Sequence, residues 1–210
     1  QRGPLAVAVL THYLAPLLIA LAAPWVLREP RSARALVGAP LTLVGLALLL
    51  DTPQGGLADP WTGLLGGASA LFYMANVLGS KVASRAYSPL AVTALHAPLS
   101  ALALLLVFGR DALPPALDGS LLLVIVGSVS CGLVGNTLFI VGLRRIPSAA
   151  AGALTYLEPL TAAVVGQLVF GEALGPLGLL GGLVVLVSGV WVASELRAQP
   201  APAPVPTGMG

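Results

Sequence analysis

The chain has 210 residues, of which 57% are hydrophobic and 9% charged, with a formal net charge of +2 and a mean hydropathy of +0.96. A soluble domain carries about 25% charged residues, so this composition excludes one and points to an all-α integral membrane protein. The single cysteine, Cys131, and two histidines exclude a disulfide framework and a cysteine-based metal site. No phosphate-cradling glycine motif, zinc motif or basic nucleic-acid patch is present, so no metal, cofactor or nucleic acid is expected, nor a pump driven by ATP within this chain.

A membrane span needs about 20 apolar residues to cross roughly 30 Å of hydrocarbon. Seven such runs follow one another at 4–27, 34–50, 60–80, 89–109, 119–143, 148–170 and 175–194, the second of them short. Turn chemistry separates them, as in Arg28-Glu29-Pro30-Arg31-Ser32, Asp51 to Gly56 and Pro114-Pro115. The Pro/Ala-rich stretch 196–210 holds too little apolar side chain to pack and is expected to be a disordered tail. The chain begins with Gln1 and not Met, so a start upstream is the expectation.

One side of the span pattern receives Arg28, Arg31, Arg34, Lys81, Arg85, Arg144, Arg145 and Arg197, and the other only Arg2 and Arg110. This asymmetry puts the first side, and the C-terminus, in the cytoplasm.

The chain also repeats itself at an offset of 143 residues. Tyr13/Tyr156, Leu14/Leu157, Pro16/Pro159, Leu17/Leu160, Glu29/Glu172 and Gly38/Gly181 are among the eleven identities in the thirty-two positions from 13 to 44. Roughly four or five would arise by chance in so biased a composition. Spans six and seven therefore correspond to spans one and two, and one unit comprises spans three to seven. Five helices are an odd number, so successive units cross in opposite directions, an inverted-topology repeat. Equal units would place about three further helices before Gln1, ten spans in all. The expected division is the end of the first repeat at 1–50, an extracytoplasmic loop at 51–59, and the second repeat at 60–195.

An ionised side chain at the centre of a span costs at least about 2.5 kcal/mol and by default marks function. Glu158 is such a residue, with Thr155 one turn earlier. Its counterpart stretch holds His12, which a two-fold relation would bring towards Glu158 across the midplane; the blander expectation is a histidine satisfied by a backbone carbonyl. Pro16 and Pro159 should bend or break their helices there. Polar stripes run along span three (Ser69, Tyr73, Asn76, Ser80), span four (Thr93, His96, Ser100) and span five (Ser128, Gly132, Asn136). A small-molecule site needs a few such groups; single serines and threonines more often bond between helices. Gly63/Gly67 and Gly178/Gly182 read as close-packing seams, and Trp25, Trp61 and Trp191 as interfacial anchors.

The blocks Tyr13-Leu14-Ala15-Pro16-Leu17, Arg28-Glu29-Pro30, Gly142 to Pro147, Tyr156-Leu157-Glu158-Pro159-Leu160 and Gly171-Glu172-Ala173 together resemble the drug/metabolite transporter superfamily, EamA-like type. The resemblance covers nearly the whole chain, although Ala15 lacks the acid that Glu158 keeps. It implies ten helices in two inverted halves and movement of small metabolites, often outward. The reading is a secondary transporter of the cytoplasmic membrane, not an enzyme, working by alternating access and driven by protons or exchange. The proposed path is Glu158, His12, Thr155, Tyr73, Asn76, His96 and Asn136. Its expected partners are a small-molecule substrate, the lipid bilayer and a second copy in a homodimer.

Three other readings stay open. A non-transporting or lipid-handling protein of the same fold is one. Gly67-Ala68-Ser69-Ala70 resembles the nucleophile loop of rhomboid proteases, with His96 as base, but lacks that loop's second glycine. A seven-helix receptor fits the count of spans, but span seven has no lysine for a retinal Schiff base.

Overall fold

The computed structural model describes residues 5–50, 60–109, 113, 119–171 and 175–194. The expected loop at 51–59, the tail at 196–210, Glu172, Arg2, Arg110 and Arg197 lie outside the described residues. Nine helices follow in chain order among those described: α1 (Leu5–His12), α2 (Ala15–Val26), α3 (Ala33–Leu49), α4 (Pro60–Ala83), α5 (Pro89–Phe108), α6 (Gly119–Leu143), α7 (Ser148–Leu154), α8 (Leu157–Phe170) and α9 (Pro176–Ala193). Six segments are long and apolar enough to cross a membrane, with α1–α2 and α7–α8 each counting as one, and α3 is a shorter apolar helix. The seven expected spans are thus all present, two of them interrupted.

The ends follow local chemistry. The Ser32 Oγ accepts the Ala35 N–H at 2.9 Å to cap α3, and Ser88 caps α5 ahead of Pro89 in the same way. Gly171 closes α8 in the left-handed conformation (φ +70°), where a Cβ would be strained. Arg28 also adopts a left-handed backbone (φ +59°), which turns the chain sharply after α2.

The chain divides into two compact units, one made of residues up to 78 together with those from 145 onward, the other of residues 79–144. The first unit holds the repeat-related pairs. α3 lies antiparallel to α9, and glycines let the two backbones touch. Gly38 faces Val192, and their counterparts at the 143-residue offset, Gly181 and Leu49, face each other. Gly45 faces Gly181, where a Cβ would lie 2.9 Å from the carbonyl oxygen, and their counterparts Ser188 and Gly38 are likewise neighbours. Reciprocal contacts of this kind define a two-fold relation. The seam that the sequence assigned to Gly63/Gly67 is not there. Both face open space, and Gly66 is the close approach of α4, against Thr11 of α1. At the other pair, Gly182 meets the Leu160 side chain.

A buried Thr42–Ser188 hydrogen bond of 2.7 Å crosses the same seam. α2 runs antiparallel to α7: Pro16 packs on Gly152, and beyond the end of α2 the Glu29 carboxylate accepts from the Ser148 N–H at 2.7 Å and its hydroxyl at 3.2 Å. Tyr13, Ala39, Leu46, Leu49, Tyr156 and Val185 form the unit's core.

In the second unit α5 and α6 form a pair with most of their apolar side chains exposed, as suits helices whose solvent is lipid.

Candidate functional site

Both expected helix breaks occur, each two to four residues before its proline. α1 ends at His12 and α2 begins at Ala15; α7 ends at Leu154 and α8 begins at Leu157. Pro16 and Pro159 have no N–H to donate to the carbonyl four residues back and clash with it, so the disturbance falls on the N-terminal side. The chain does not open at these points. It tightens into single 3₁₀ turns: Leu14 N–H bonds the Thr11 carbonyl at 3.2 Å, and Thr155 and Tyr156 bond Gly152 and Ala153, each at 3.2 Å.

The two breaks lie against each other. Tyr13 and Tyr156 stack with ring centroids 5.9 Å apart, and the Tyr156 hydroxyl donates to the Tyr13 carbonyl at 3.0 Å. Tyr156 is 1% exposed. It fills the junction.

Several of the polar residues singled out from the sequence belong to the same unit as that junction. His12 Nδ1 is 2.9 Å from the Ser69 hydroxyl, and its ring meets Tyr13 and Tyr73 edge-on at 5.6 and 5.4 Å. The histidine is therefore satisfied by a side chain of α4 and not by a backbone carbonyl. Glu158 stands in the first turn of α8, where a negative charge complements the helix N-terminus. Its side chain is exposed, and its backbone N–H bonds the Thr155 carbonyl at 3.0 Å. No hydrogen bond or ion pair joins His12 to Glu158 among the described residues. Thr155 spends its hydroxyl on the Gly152 carbonyl at 2.7 Å, closing its own helix. Asn76 is half-buried on α4, one turn beyond Tyr73.

Sequence reasoning did not single out Tyr13 or Tyr156 as site residues, although both stood in the repeated block. The signal available was an aromatic conserved at the repeat offset immediately before each break. Ser69 entered as a nucleophile paired with His96; the imidazole on its hydroxyl is that of His12.

The other polar stripes belong to the second unit. Thr93, His96, Ser128, Gly132 and Asn136 line a cavity of about 420 Å³ between α5 and α6, with Ala94, Ala97, Val129 and Leu133 as its apolar walls. The Asn136 amide donates to the Thr93 hydroxyl at 3.1 Å, and the Thr137 hydroxyl approaches the same oxygen at 3.3 Å. His96 of α5 and Asn136 of α6 thus line the same cavity. Among the described residues no cluster of three or more His, Cys, Asp or Glu side chains is arranged to hold a metal.

Comparison with known proteins bears on what such an arrangement does. The EamA-like transporter family matches residues 61–194. A protein of Archaeoglobus fulgidus described as an uncharacterized transporter is 34% identical over 197 residues, which are 92% of this chain and 68% of that protein. A crystal structure of a protein 23% identical superposes with a TM-score of 0.74, covering 94% of this chain and 70% of its own, and supports the fold. A multi-pass helical membrane protein whose family match spans more than half its length, and whose archaeal relative is named a transporter, belongs to the EamA-like transporter family.

Proposed function

We propose that this protein is a secondary active transporter of small metabolites that works by alternating access in the cytoplasmic membrane, with its C-terminus in the cytoplasm. Family membership and the transporter-named relative support a carrier and point away from an enzyme. The observation that carries the reading is the junction of the two helix breaks. Repeat-equivalent tyrosines stack there, one bonded to the other's backbone, with an exposed carboxylate and a histidine alongside. Discontinuous helices at the interface of inverted repeats are where transporters hold their cargo.

In this reading 60–195 is one five-helix repeat and 1–50 is the end of its inverted partner. The antiparallel seam of α3 with α9 serves as the fixed axis about which the halves rock. Glu158 is the ionisable group of the path and couples substrate movement to protons or to exchange. His12, Tyr73 and Asn76 line the path in the first unit, and His96 and Asn136 supply hydrogen-bonding groups in the second.

The test is uptake and efflux by the complete protein, with the helices expected before Gln1, reconstituted in vesicles over a metabolite panel, beside Glu158→Gln. The wild type should move at least one compound class against its gradient when a proton or exchange gradient is imposed, and the variant should lose that dependence. Normal transport by Glu158→Gln at every pH would remove Glu158 from the mechanism.

A further inference from the structure

Tyr13 and Tyr156 hold the same place in the repeat, 143 positions apart, yet they are bonded differently. The Tyr13 N–H bonds the Val9 carbonyl at 3.0 Å, an ordinary α-helical bond four residues back. The equivalent acceptor for Tyr156 is Gly152, but its N–H bonds Ala153 at 3.2 Å, one residue nearer. The second break is thus wound more tightly than the first. The side chains differ too. The Tyr156 hydroxyl donates to the Tyr13 carbonyl at 3.0 Å, and among the described residues the Tyr13 hydroxyl makes no return bond to the Tyr156 carbonyl. Both tyrosines are buried, and their rings stack at 5.9 Å with 28° between the planes.

One unit therefore occurs in two conformations, in contact with each other. An exact two-fold relation would make both hydroxyl bonds or neither. The observed half-set has an alternative of the same bond count, in which each break takes the form of the other. Two arrangements that trade one bond for its equivalent lie close in free energy, which a bistable element requires. The stacked rings stay in contact through the exchange, since only hydroxyls and turns change partners.

We infer that this tyrosine pair sets the orientation of the carrier. In the opposite orientation the Tyr13 hydroxyl holds the Tyr156 carbonyl and the Tyr156 hydroxyl is released. The Tyr156 N–H then bonds Gly152, and the Tyr13 N–H moves to Leu10. The inference rests on the alternating-access reading and assigns its switch to named atoms; both tyrosines act as positioning residues.

A reporter stands at one end of the paired helices. Beyond α2 the Glu29 carboxylate holds the Ser148 N–H at 2.7 Å, a tie that the opposite orientation opens. Deuterium exchange at the Ser148 amide, read by mass spectrometry on the complete protein in lipid nanodiscs, follows the population of that orientation. Tyr156→Phe removes the bond of the present orientation, and exchange should rise roughly fivefold, the shift one hydrogen bond supplies. Tyr13→Phe removes the bond of the opposite orientation, and exchange should fall by a similar factor. The double variant should return to within about twofold of the wild type. A hydroxyl that only steadied the fold would raise exchange in both single variants, so opposite signs are the signature. Circular dichroism and elution volume check folding, and if Tyr156→Phe does not fold, Tyr13→Phe decides alone. Exchange that rises or holds in Tyr13→Phe overturns the inference, as does exchange that falls or holds in Tyr156→Phe. Failure here can be told from failure of the transporter reading. Vesicles that move a metabolite while both variants shift Ser148 the same way sink the tyrosine switch and keep the carrier. Vesicles that move no compound of any class sink the carrier.

Discussion

Along the α3–α9 seam of the first unit, backbone meets backbone, whereas α5 and α6 of the second unit meet through a few hydroxyl and amide groups around a cavity of about 420 Å³. All four helices are predominantly apolar, and both pairs contain glycines. In the first unit Gly38, Gly45 and Gly181 each face atoms that a Cβ would strike; in the second, Gly127, Gly132 and Gly135 face open space. Lipid tails are as apolar as leucine, so greasiness cannot tell one helix surface from another. What locks a pair is the matching of small residues on both partners at the same depth.

The largest way to break this contrast is to fill the seam. Gly181→Ala places a methyl group against the Gly45 carbonyl oxygen and the backbone of Leu49. Backbone cannot yield as a side chain does, so a loss of about 3 kcal/mol is expected. The melting temperature in detergent should fall by roughly 5–10 °C. Gly132→Ala in the second unit should leave it within experimental error. Equal effects at the two sites would erase the distinction.

Next in size is the tie between the turn after α2 and the start of α7. Glu29→Ala leaves the Ser148 N–H without its charged acceptor and should cost about 2 kcal/mol. Glu29→Gln, which keeps one acceptor oxygen, should cost about half of that by the same measurement. A smaller effect belongs to the junction of the two breaks. Tyr156→Phe keeps the stacked ring and loses the hydroxyl that reaches the Tyr13 carbonyl, for about 1 kcal/mol. If instead it abolishes folding, the hydroxyl holds far more than one bond.

The smallest test sharpens the comparison directly. Thr42→Val removes one buried bond from the tight seam, and Thr93→Val removes the oxygen shared by Asn136 and Thr137 in the open pair. Each interhelical bond is worth about 0.6 kcal/mol on average. Thr93→Val should therefore be at least as costly as Thr42→Val, because the open pair has fewer other contacts to compensate. A chemical-denaturant series in mixed micelles resolves differences of this size only through paired measurements on both variants.

Much of this architecture was legible beforehand. Run length and turn residues placed all seven spans within a few residues, because a bilayer imposes one thickness on every helix. The 143-residue offset named Tyr13 with Tyr156 and α3 with α9 as equivalents, and the structure adds that these equivalents touch. The positions of the breaks were implied by Pro16 and Pro159, since a missing N–H acts on the preceding turn whatever surrounds it.

Other features belonged to tertiary packing. Gly63 and Gly67 had the spacing of a seam and face nothing, while Gly66 between them meets α1; a helix carries small residues on several faces, and only the partner selects one. His12 found Ser69, fifty-seven residues away, and not the carbonyl or the carboxylate that symmetry suggested, because which hydroxyl lies at the same depth depends on how α4 is laid against α1. Chemistry confined to one segment could be read from the chain. Contacts requiring two segments to share a height and a rotation had to wait for the fold.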